Sequence, residues 1–254
     1  MSHHIVAVEN LRYSYPDGTS ALNGLSFLIH HGESVAIVGA NGAGKSTLLQ
    51  HLNGYLTPQD GRILIGDLPI SKATLRNIRR TVGVVFQDPD DQLFMPTVFD
   101  DVAFGPLNQG LPVEEVERLV ASALEDVGAL HLKDRPPHHL SGGEKRAIAI
   151  ATVLAMKPDI LVMDEPDTGL DPRARRLLIN QLKQFRHTKI IATHDLDLVL
   201  DLCERTIVIH DGKVMTDGKT EDVFIDKALL EKSHLEPPLR MQGCPRCGEA
   251  SFTP

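Results

Sequence analysis

The run of residues best suited to chemistry is rich in glycine. Residues 39–46 spell "GANGAGKS", which fits the pattern G-x-x-x-x-G-K-[ST], and they follow a short apolar run and open a predicted helix. The glycines allow backbone N–H groups to crowd around phosphates, and the helix N-terminus adds a partial positive charge. Lys45 is predicted to reach the β- and γ-phosphates, and Ser46 to bind Mg²⁺.

A second candidate is the segment "ILVMDEP", residues 160–166, an apolar strand that ends in two carboxylates. Ligands of open α/β sheets bind at the carboxyl ends of the strands. We therefore expect Asp164 to hold Mg²⁺ through its water shell and Glu165 to orient and polarise an attacking water. By itself, the segment is equally typical of an exposed strand end with solvated acids. Because the chain also contains a phosphate loop, we favour a catalytic and metal-binding role for these acids.

Two further motifs are ambiguous by themselves. "LSGGEKR", residues 140–146, places a glycine pair at a helix start with Ser141 as its predicted N-cap, which suits either an anion site or an ordinary cap. His194 in "ATHD" ends another apolar strand, where it could bond phosphate or water, although a lone histidine is more often structural.

Close carboxylates in "FQDPDDQ" raise the question of a metal-binding loop, because hard cations prefer oxygen ligands. The segment follows the predicted strand "TVGVVF" and precedes a helical region. We expect its acids to shape turns and to contact a partner rather than to hold an ion. They are Asp88, Asp90 and Asp91.

The elements around these motifs alternate between short apolar strands and helices, which predicts a parallel sheet flanked by helices. Strand-like segments precede this alternation of strands and helices, and a helical block interrupts it from about residue 96 to 157. In the helix predicted from "VEEVERLVASALEDVGAL", apolar residues recur at helical spacing. The last residues, 234–254, are rich in proline and are expected to be loose.

Composition limits the alternatives. The 254 residues are 42% hydrophobic and carry a formal charge of −8, which argues against nucleic acid as the main partner. "MSHHIVAVEN" lacks the apolar region of a signal peptide, and no run approaches the length of a membrane helix. An odd number of cysteines indicates a reducing compartment; they are Cys203, Cys244 and Cys247.

Together these motifs resemble the nucleotide-binding subunit of ABC transporters over about residues 5–225. The resemblance implies a P-loop ATPase core with a mainly parallel sheet, an N-terminal antiparallel β subdomain and the helical insertion, all within residues 1–233. It implies ATP and Mg²⁺ as cofactors. It makes Glu165 the catalytic glutamate and His194 the switch histidine, with Asp164 on the metal.

The resemblance also assigns the remaining motif residues. Gln87 becomes the glutamine that contacts Mg²⁺ and signals to the membrane subunit, and Asp171 belongs to the D-loop "TGLD". Tyr15 becomes the aromatic that stacks on adenine, with Tyr13 as the alternative. The ATP-binding loop comprises Gly39, Ala40, Asn41, Gly42, Ala43, Gly44, Lys45, Ser46 and Thr47. The signature motif, acting in trans, comprises Leu140, Ser141, Gly142, Gly143 and Glu144.

In the family, two such subunits enclose two ATP molecules head to tail. Because this chain holds every motif, the resemblance implies a homodimer, with a heterodimer of two similar ATPases as the alternative. "FQDPDDQLFMPTVFDDVAFGPLNQGL" is similar to the energy-coupling-factor group, close to the cobalt and nickel importers. That group implies a transmembrane coupling subunit, a membrane substrate-capture subunit and a place on the cytoplasmic face of the membrane.

Other functions remain open. The runner-up is the ATPase of a vitamin importer of the biotin type. A soluble ABC ATPase acting on DNA or in translation is less favoured, since the chain lacks a long coiled-coil insertion and carries one such domain. A P-loop kinase or other transferase is also less favoured, because it has no need of "LSGGE".

Three features depart from the family pattern or invite a metal interpretation. Asp167 stands where the family usually has Thr or Ser, which adds an acid near Glu165, and we do not expect it to abolish activity. The motif "CPRCGE" supplies only two of the four ligands of a structural zinc, so reduced thiols are favoured over a zinc shared across a dimer. The histidine pairs are treated as structural or solvated, because adjacent side chains of a strand diverge. They are His3–His4, His30–His31 and His138–His139.

Overall fold

The computed structural model describes residues 4–242, which form two sheets and the helices around them. The strands are β1 His4–Ser14, β2 Ser20–His30, β3 Ser34–Val38, β4 Asp60–Ile65, β5 Leu68–Pro69, β6 Val82–Val85, β7 Ile160–Asp164, β8 Thr188–Thr193, β9 Arg205–His210 and β10 Lys213–Lys219. The α-helices are α1 Lys45–Leu52, α2 Leu75–Thr81, α3 Val98–Asn108, α4 Val113–Asp126, α5 Gly142–Leu154, α6 Pro172–Gln184, α7 Leu196–Leu202, α8 Thr220–Ile225 and α9 Lys227–Lys232.

The larger sheet has the strand order β10-β9-β3-β8-β7-β6, and all its pairs are parallel except β9 with β10. Its central strands are short apolar runs whose side chains are buried on both faces, as expected when helices cover a parallel sheet. Because β3, β8 and β7 are neighbours and run the same way, the residues that follow them meet at one edge. This sheet confirms the predicted parallel core.

The smaller sheet is antiparallel, with the order β2-β1-β4-β5. Its inner side chains and those on one face of the larger sheet form one apolar core, with α1 between them. The core includes Leu11 and Leu25 of the small sheet, Ile37 of the large sheet and Leu48 of α1, each fully buried. The predicted N-terminal antiparallel subdomain is therefore present, and it packs against the helix that follows the phosphate loop.

The helices α3, α4 and α5 form the inserted block between β6 and β7. The apolar face predicted for α4 is the buried one: Val116, Leu119, Val120, Ala123 and Leu124. Pro112 stands at the N-cap, where its missing N–H is harmless. The described helices include none that is long and apolar enough to cross a membrane.

The first part of the segment expected to be loose is tied to the rest of the protein. Leu235 is buried, and the Arg240 guanidinium lies 3.1 Å from an Asp197 carboxylate oxygen and 2.8 Å from one of Asp201, both on α7. These contacts connect Leu235 and Arg240 to the rest of the described structure, and the looseness of the segment as a whole stays a prediction. Cys244 and Cys247 lie outside the described residues, so the motif they form stays a prediction.

Candidate nucleotide site

The glycine-rich loop joins β3 to α1 in a conformation that depends on its glycines. Gly44 has φ of 102°, a left-handed value that disfavours other residues, and a side chain there would approach the Ala21 carbonyl to 2.6 Å. A side chain on Gly39 would lie 2.3 Å from the Ile209 carbonyl. Because Gly44 at the N-cap has no side chain to cap α1, the first N–H groups of that helix remain available to an anion.

Lys45 is the first residue of α1, and its side chain is folded back over the loop. The ammonium donates to the carbonyls of Gly39, at 2.7 Å, and Ala40, at 3.2 Å, and lies 3.9 Å from a carboxylate oxygen of Glu165. Burial lowers the pKa of Lys45, while the nearby charges of Glu165 and Asp164 oppose that change. The cation is therefore already held where the sequence predicted phosphates to bind.

Asp164 and Ser46 are brought together at the ends of β7 and the phosphate loop. Burial raises the pKa of the Asp164 carboxyl, and a hydrogen bond with Ser46 opposes that rise. The Oδ1 atom of Asp164 is buried and has no hydrogen-bond partner in the described part of the chain. An orphaned, buried carboxylate oxygen beside a hydroxyl is a donor set that suits a hard cation, so these residues fit Mg²⁺.

The predicted third metal contact, Gln87, lines the same cleft as Ser46 and Asp164. This cleft has a volume of about 860 Å³ and also borders α1 and the loop after β6. The three residues that the motifs and the family resemblance assign to Mg²⁺ therefore line one cleft, and their binding of the ion stays a prediction.

Glu165 is the first residue after β7, and it adopts a left-handed conformation with φ of 44°. Its N–H donates to the Ala192 carbonyl of the neighbouring strand at 2.8 Å. Its carboxylate accepts a hydrogen bond of 3.0 Å from Thr193 Oγ1, and the Nδ1 of His194 lies 2.9 Å from it. Backbone strain of about 1–3 kcal/mol at a non-glycine residue is often found at functional sites. Two neighbouring strand ends therefore fix this one carboxylate.

The signature segment begins α5 with a complete capping box. The Ser141 hydroxyl accepts from the Glu144 N–H at 3.4 Å, and the Glu144 carboxylate accepts from the Ser141 N–H at 2.8 Å. The space beside Gly142 is open, whereas a side chain on Gly143 would come within 3.1 Å of Ala174. Within this one chain, the segment has the geometry of an ordinary N-cap with a close helix contact.

The signature segment and the metal residues line different clefts. Ser141, Gly142 and Asp171 border a cleft of about 570 Å³ between the helical block and α6, whereas Ser46 and Asp164 border the cleft beside α1. Asp171 is itself an N-cap, since its carboxylate accepts from the N–H groups of Arg173 and Ala174 at the start of α6.

Of the two tyrosines predicted to stack on adenine, Tyr15 is the one bonded to the loop helix. Its hydroxyl lies 2.9 Å from Thr47 Oγ1. The Tyr13 ring packs edge to face against both Tyr15 and His51, with centroids 5.2 and 4.8 Å away, so two other rings already contact it. The assignment of Tyr15 to adenine stays a prediction, and the geometry favours it over Tyr13.

The aspartates after Gln87 shape a turn, as expected. Asp88 caps a short 3₁₀ helix, Pro89–Asp91, by accepting from the Asp90 N–H at 2.9 Å. Asp90 in turn forms an ion pair of 2.6 Å with Lys145 of α5. Among residues 4–242, no group of three or more His, Cys, Asp or Glu is arranged to hold a metal ion.

Arg146 of α5 is a site residue that the sequence reasoning missed. Its buried guanidinium donates to the carbonyls of Phe86 and Gln87 at 2.7 and 2.5 Å. Gln92 strengthens the same connection, because its amide donates to the Ala149 carbonyl of α5 at 2.7 Å. In the sequence, this role of Arg146 is indicated only by a charged residue on a helix whose other buried positions are apolar. The loop after β6 is thus fastened to the helix that begins with the signature segment.

Asp167 and one of the histidine pairs have partners that the sequence does not show. Asp167 is bonded to Arg175 at 3.1 Å, so its side chain is paired with a guanidinium. His138 and His139 lie on a 3₁₀ turn rather than a strand, and their rings are in contact with centroids 4.2 Å apart. The strand geometry invoked to separate paired histidines therefore does not apply to these two.

Comparison with known proteins places these motifs in a family. The model of the ABC transporter family matches residues 22–168. A provisionally named ABC transporter ATP-binding protein of Geobacter sulfurreducens is 67% identical over 248 residues, which is 98% of this chain and 100% of that protein. The energy-coupling factor transporter ATP-binding protein EcfA of Methanocaldococcus jannaschii is 49% identical over 240 residues, covering 92% of this chain and 86% of that protein.

Solved structures give the same result. The structure of cbiO1 from Clostridium perfringens, described as part of the ABC transporter complex cbiONQ, has a TM-score of 0.79 at 45% identity and covers 91% of this chain and 94% of that one. A bacterial Atm1-family ABC exporter with ATP bound has a TM-score of 0.77 at 30% identity, over 89% of this chain and 41% of that one. This chain is therefore an ATP-hydrolysing member of the ABC transporter family that resembles the energy-coupling-factor ATPases.

Proposed function

We propose that this chain is the ATPase subunit that energises a membrane importer of the energy-coupling-factor type, with cobalt or nickel as its cargo. The observation that carries the proposal is the arrangement around Glu165, whose carboxylate is held between Thr193, His194 and Lys45. This arrangement supports hydrolysis because a buried, fixed carboxylate at a sheet edge can orient a water for in-line attack.

In this proposal each residue acts on a different part of the reaction. Lys45 and the N–H groups of the loop bind the β- and γ-phosphates, Glu165 orients the attacking water, and His194 bonds the γ-phosphate or that water. Ser46, Asp164 and Gln87 hold Mg²⁺. When bound, the ion neutralises charge that develops on the phosphate oxygens.

The proposal includes a dimer in which the signature segment of one chain completes the site of the other. It is supported by the separate clefts of the two motifs and by the open space beside Gly142. An α-helix N-terminus with free space in front of it can receive the γ-phosphate of a nucleotide held by the partner. The chain supplies all these parts, so a homodimer is sufficient, and a heterodimer with a similar ATPase is the alternative.

The proposed place of work is the cytoplasmic face of the membrane, next to a transmembrane coupling subunit and a substrate-capture subunit. The name of EcfA and the complex to which cbiO1 belongs support this assignment. Cobalt is the cargo that the resemblance to cbiO1 suggests. A biotin-type vitamin is the alternative cargo, because the energy-coupling-factor name specifies none.

The test is reconstitution with the transmembrane coupling subunit and the substrate-capture subunit of the same organism. The complex is placed in vesicles with ATP and Mg²⁺, and uptake of labelled cobalt, nickel and biotin is measured against a complex carrying Glu165→Gln. We expect ATP-dependent uptake of one metal and none with the variant. Uptake of biotin alone would reject the metal cargo while keeping the importer. Hydrolysis that proceeds at the wild-type rate in the variant would reject the proposed site.

A further inference from the structure

Arg175 forms two ion pairs, together called the bridge, with acids that closely follow the proposed catalytic residues in the sequence. Arg175 of α6 donates from Nε to Asp167 at 3.1 Å and from Nη2 to Asp195 at 2.8 Å. Asp167 comes two residues after Glu165, and Asp195 comes directly after His194. One guanidinium therefore joins the two segments that carry the proposed catalytic pair.

The bridge is partly buried, and it brings two acidic side chains together. The Asp167 side chain is 8% exposed, compared with 28% for Arg175 and 32% for Asp195. Burial raises the pKa of Asp167, the hydrogen bond from Arg175 opposes the rise, and the nearby Asp195 carboxylate adds to it. A planar guanidinium can bond to both acids at once, and the two acids also share a side-chain hydrogen bond.

A continuous set of hydrogen bonds connects the bridge to Glu165. The backbone N–H of Asp195 donates to Thr193 Oγ1 at 3.0 Å, and that hydroxyl donates to the Glu165 carboxylate at 3.0 Å. The other Asp195 oxygen caps α7 by accepting from the Leu198 N–H at 2.9 Å. Anchoring Asp195 therefore fixes the backbone on both sides of His194 and orients the hydroxyl that bonds Glu165.

We propose that Arg175 is a positioning residue for ATP hydrolysis, which holds Glu165 and His194 in their mutual geometry through Asp167 and Asp195. The inference rests on the proposed function, because it assumes that Glu165 and His194 act on the nucleotide. It adds a role for Asp167, the residue that departs from the family pattern. In this chain Asp167 gives Arg175 a second carboxylate, so that the guanidinium spans the two segments.

The test compares variants of Arg175 with a control on the same helix. Arg175→Ala should lower kcat by roughly ten- to a hundredfold, since small displacements of reacting groups cost about that much. The Kd for ATP should stay within about twofold, because the bonds that hold Lys45 do not involve the bridge. Arg176→Ala is the matched control, since Arg176 is an exposed arginine next in sequence, and its kcat should equal that of the wild type.

A rescue experiment separates positioning from general loss of structure. Asp167→Thr added to Arg175→Ala removes one of the two opposed acids, so the double variant should recover part of the lost kcat. Arg175→Lys keeps the charge without the fork and should fall between wild type and Arg175→Ala. Thermal unfolding of each protein is recorded, and if Arg175→Ala does not fold, Arg175→Lys and the double variant carry the comparison.

The inference is overturned if Arg175→Ala matches Arg176→Ala in kcat, or if the double variant recovers nothing. A parallel measurement with Glu165→Gln keeps the two proposals apart. If Glu165→Gln is inactive while Arg175→Ala is fully active, only the role of Arg175 fails. If Glu165→Gln hydrolyses ATP normally, the proposed function fails first.

Discussion

The Nδ1 atom of His194 lies 2.9 Å from the carboxylate of Glu165, but the two side chains differ greatly in exposure. The Glu165 side chain is 8% exposed and that of His194 is 60% exposed. The acid is further fixed by Thr193, whereas the imidazole faces the open side of the site. The carboxylate is therefore the fixed member of the pair, and the histidine is the member free to turn towards a ligand.

The fixed carboxylate leads to a prediction for Glu165→Gln. The amide has the same shape and can still accept from Thr193, but it carries no charge to polarise water. Hydrolysis should fall by about a hundredfold or more, while ATP binding is retained. Light scattering with ATP and Mg²⁺ should then show a stable dimer, because the closed state is formed and not consumed. A variant that turns over ATP like the wild type would contradict the role of Glu165.

Because one buried oxygen of Asp164 has no hydrogen-bond partner among the described residues, we expect this acid to lower the stability of the nucleotide-free protein while it supports ATP hydrolysis. Asp164→Asn replaces a buried, unpartnered carboxylate by a neutral amide, so the nucleotide-free protein should unfold at equal or higher denaturant concentration. Hydrolysis should fall, and the Mg²⁺ concentration required for half-maximal rate should rise, because the hard oxygen ligand has lost its charge. Denaturant titration and a Mg²⁺ titration of the rate check the two halves. A less stable protein with an unchanged Mg²⁺ requirement would oppose both.

Much of the site was predictable because its determinants are local. The glycine pattern of the phosphate loop, the apolar runs of β3, β7 and β8, and the helical spacing in α4 lie within short segments, and the structure has each element where the sequence indicated it. Since parallel strands end at one edge, Lys45, Asp164 and His194 could be brought together without knowledge of side-chain contacts.

The contacts that fasten the site were not predictable from local patterns. Arg146 bonds a carbonyl 59 residues away, and Arg175 bonds Asp195 20 residues away, so their partners depend on how helices dock against the sheet. Similarly, the pairing of Arg240 with α7 is invisible in a proline-rich segment of the sequence. Long side chains choose partners by tertiary geometry, and a single sequence carries little information about that choice.

A pH-dependent stability is predicted for Asp101, which lies 3% exposed at the start of the helical block. One of its oxygens accepts from the N–H groups of Phe94 and Met95 at 3.0 Å, and the other is buried without a partner among the described residues. Burial raises the pKa of Asp101 above its usual value, and the bonds from Phe94 and Met95 oppose the rise. The folded state therefore favours the protonated acid, and its contribution to stability is lost as pH rises through the raised pKa.

Asp101→Asn should remove this dependence, because the amide keeps the accepting oxygen and never ionises. Below the ordinary pKa of Asp the two proteins should have equal free energies of unfolding. Above the raised pKa the variant should be more stable, by on the order of 1 kcal/mol. Urea unfolding at a series of pH values measures the difference. The predicted direction is wrong if the free energy of unfolding of the variant, measured relative to that of the wild type, falls between low and neutral pH.

Mixing two inactive variants tests whether the signature segment acts in trans. Lys45→Ala removes the ammonium from the phosphate loop and leaves the signature intact. Ser141→Asp keeps an N-cap acceptor for α5 but loses the hydroxyl that donates to the Glu144 carboxylate at 2.7 Å, and it sets a carboxylate against the phosphate of the facing nucleotide. A dimer of one chain of each kind then contains one site with an intact loop and an intact signature.

We therefore expect each variant alone to be inactive and the mixture, after exchange of subunits, to regain ATP hydrolysis. Two chains that both carry Lys45→Ala and Ser141→Asp form the control, since no pairing of them yields an intact site. If loop and signature served the same chain's nucleotide, the mixture would stay as inactive as its parts. Unfolding curves that coincide for wild type and Ser141→Asp would establish that the loss in that variant arises at the phosphate of the facing nucleotide and not from a weakened start of α5.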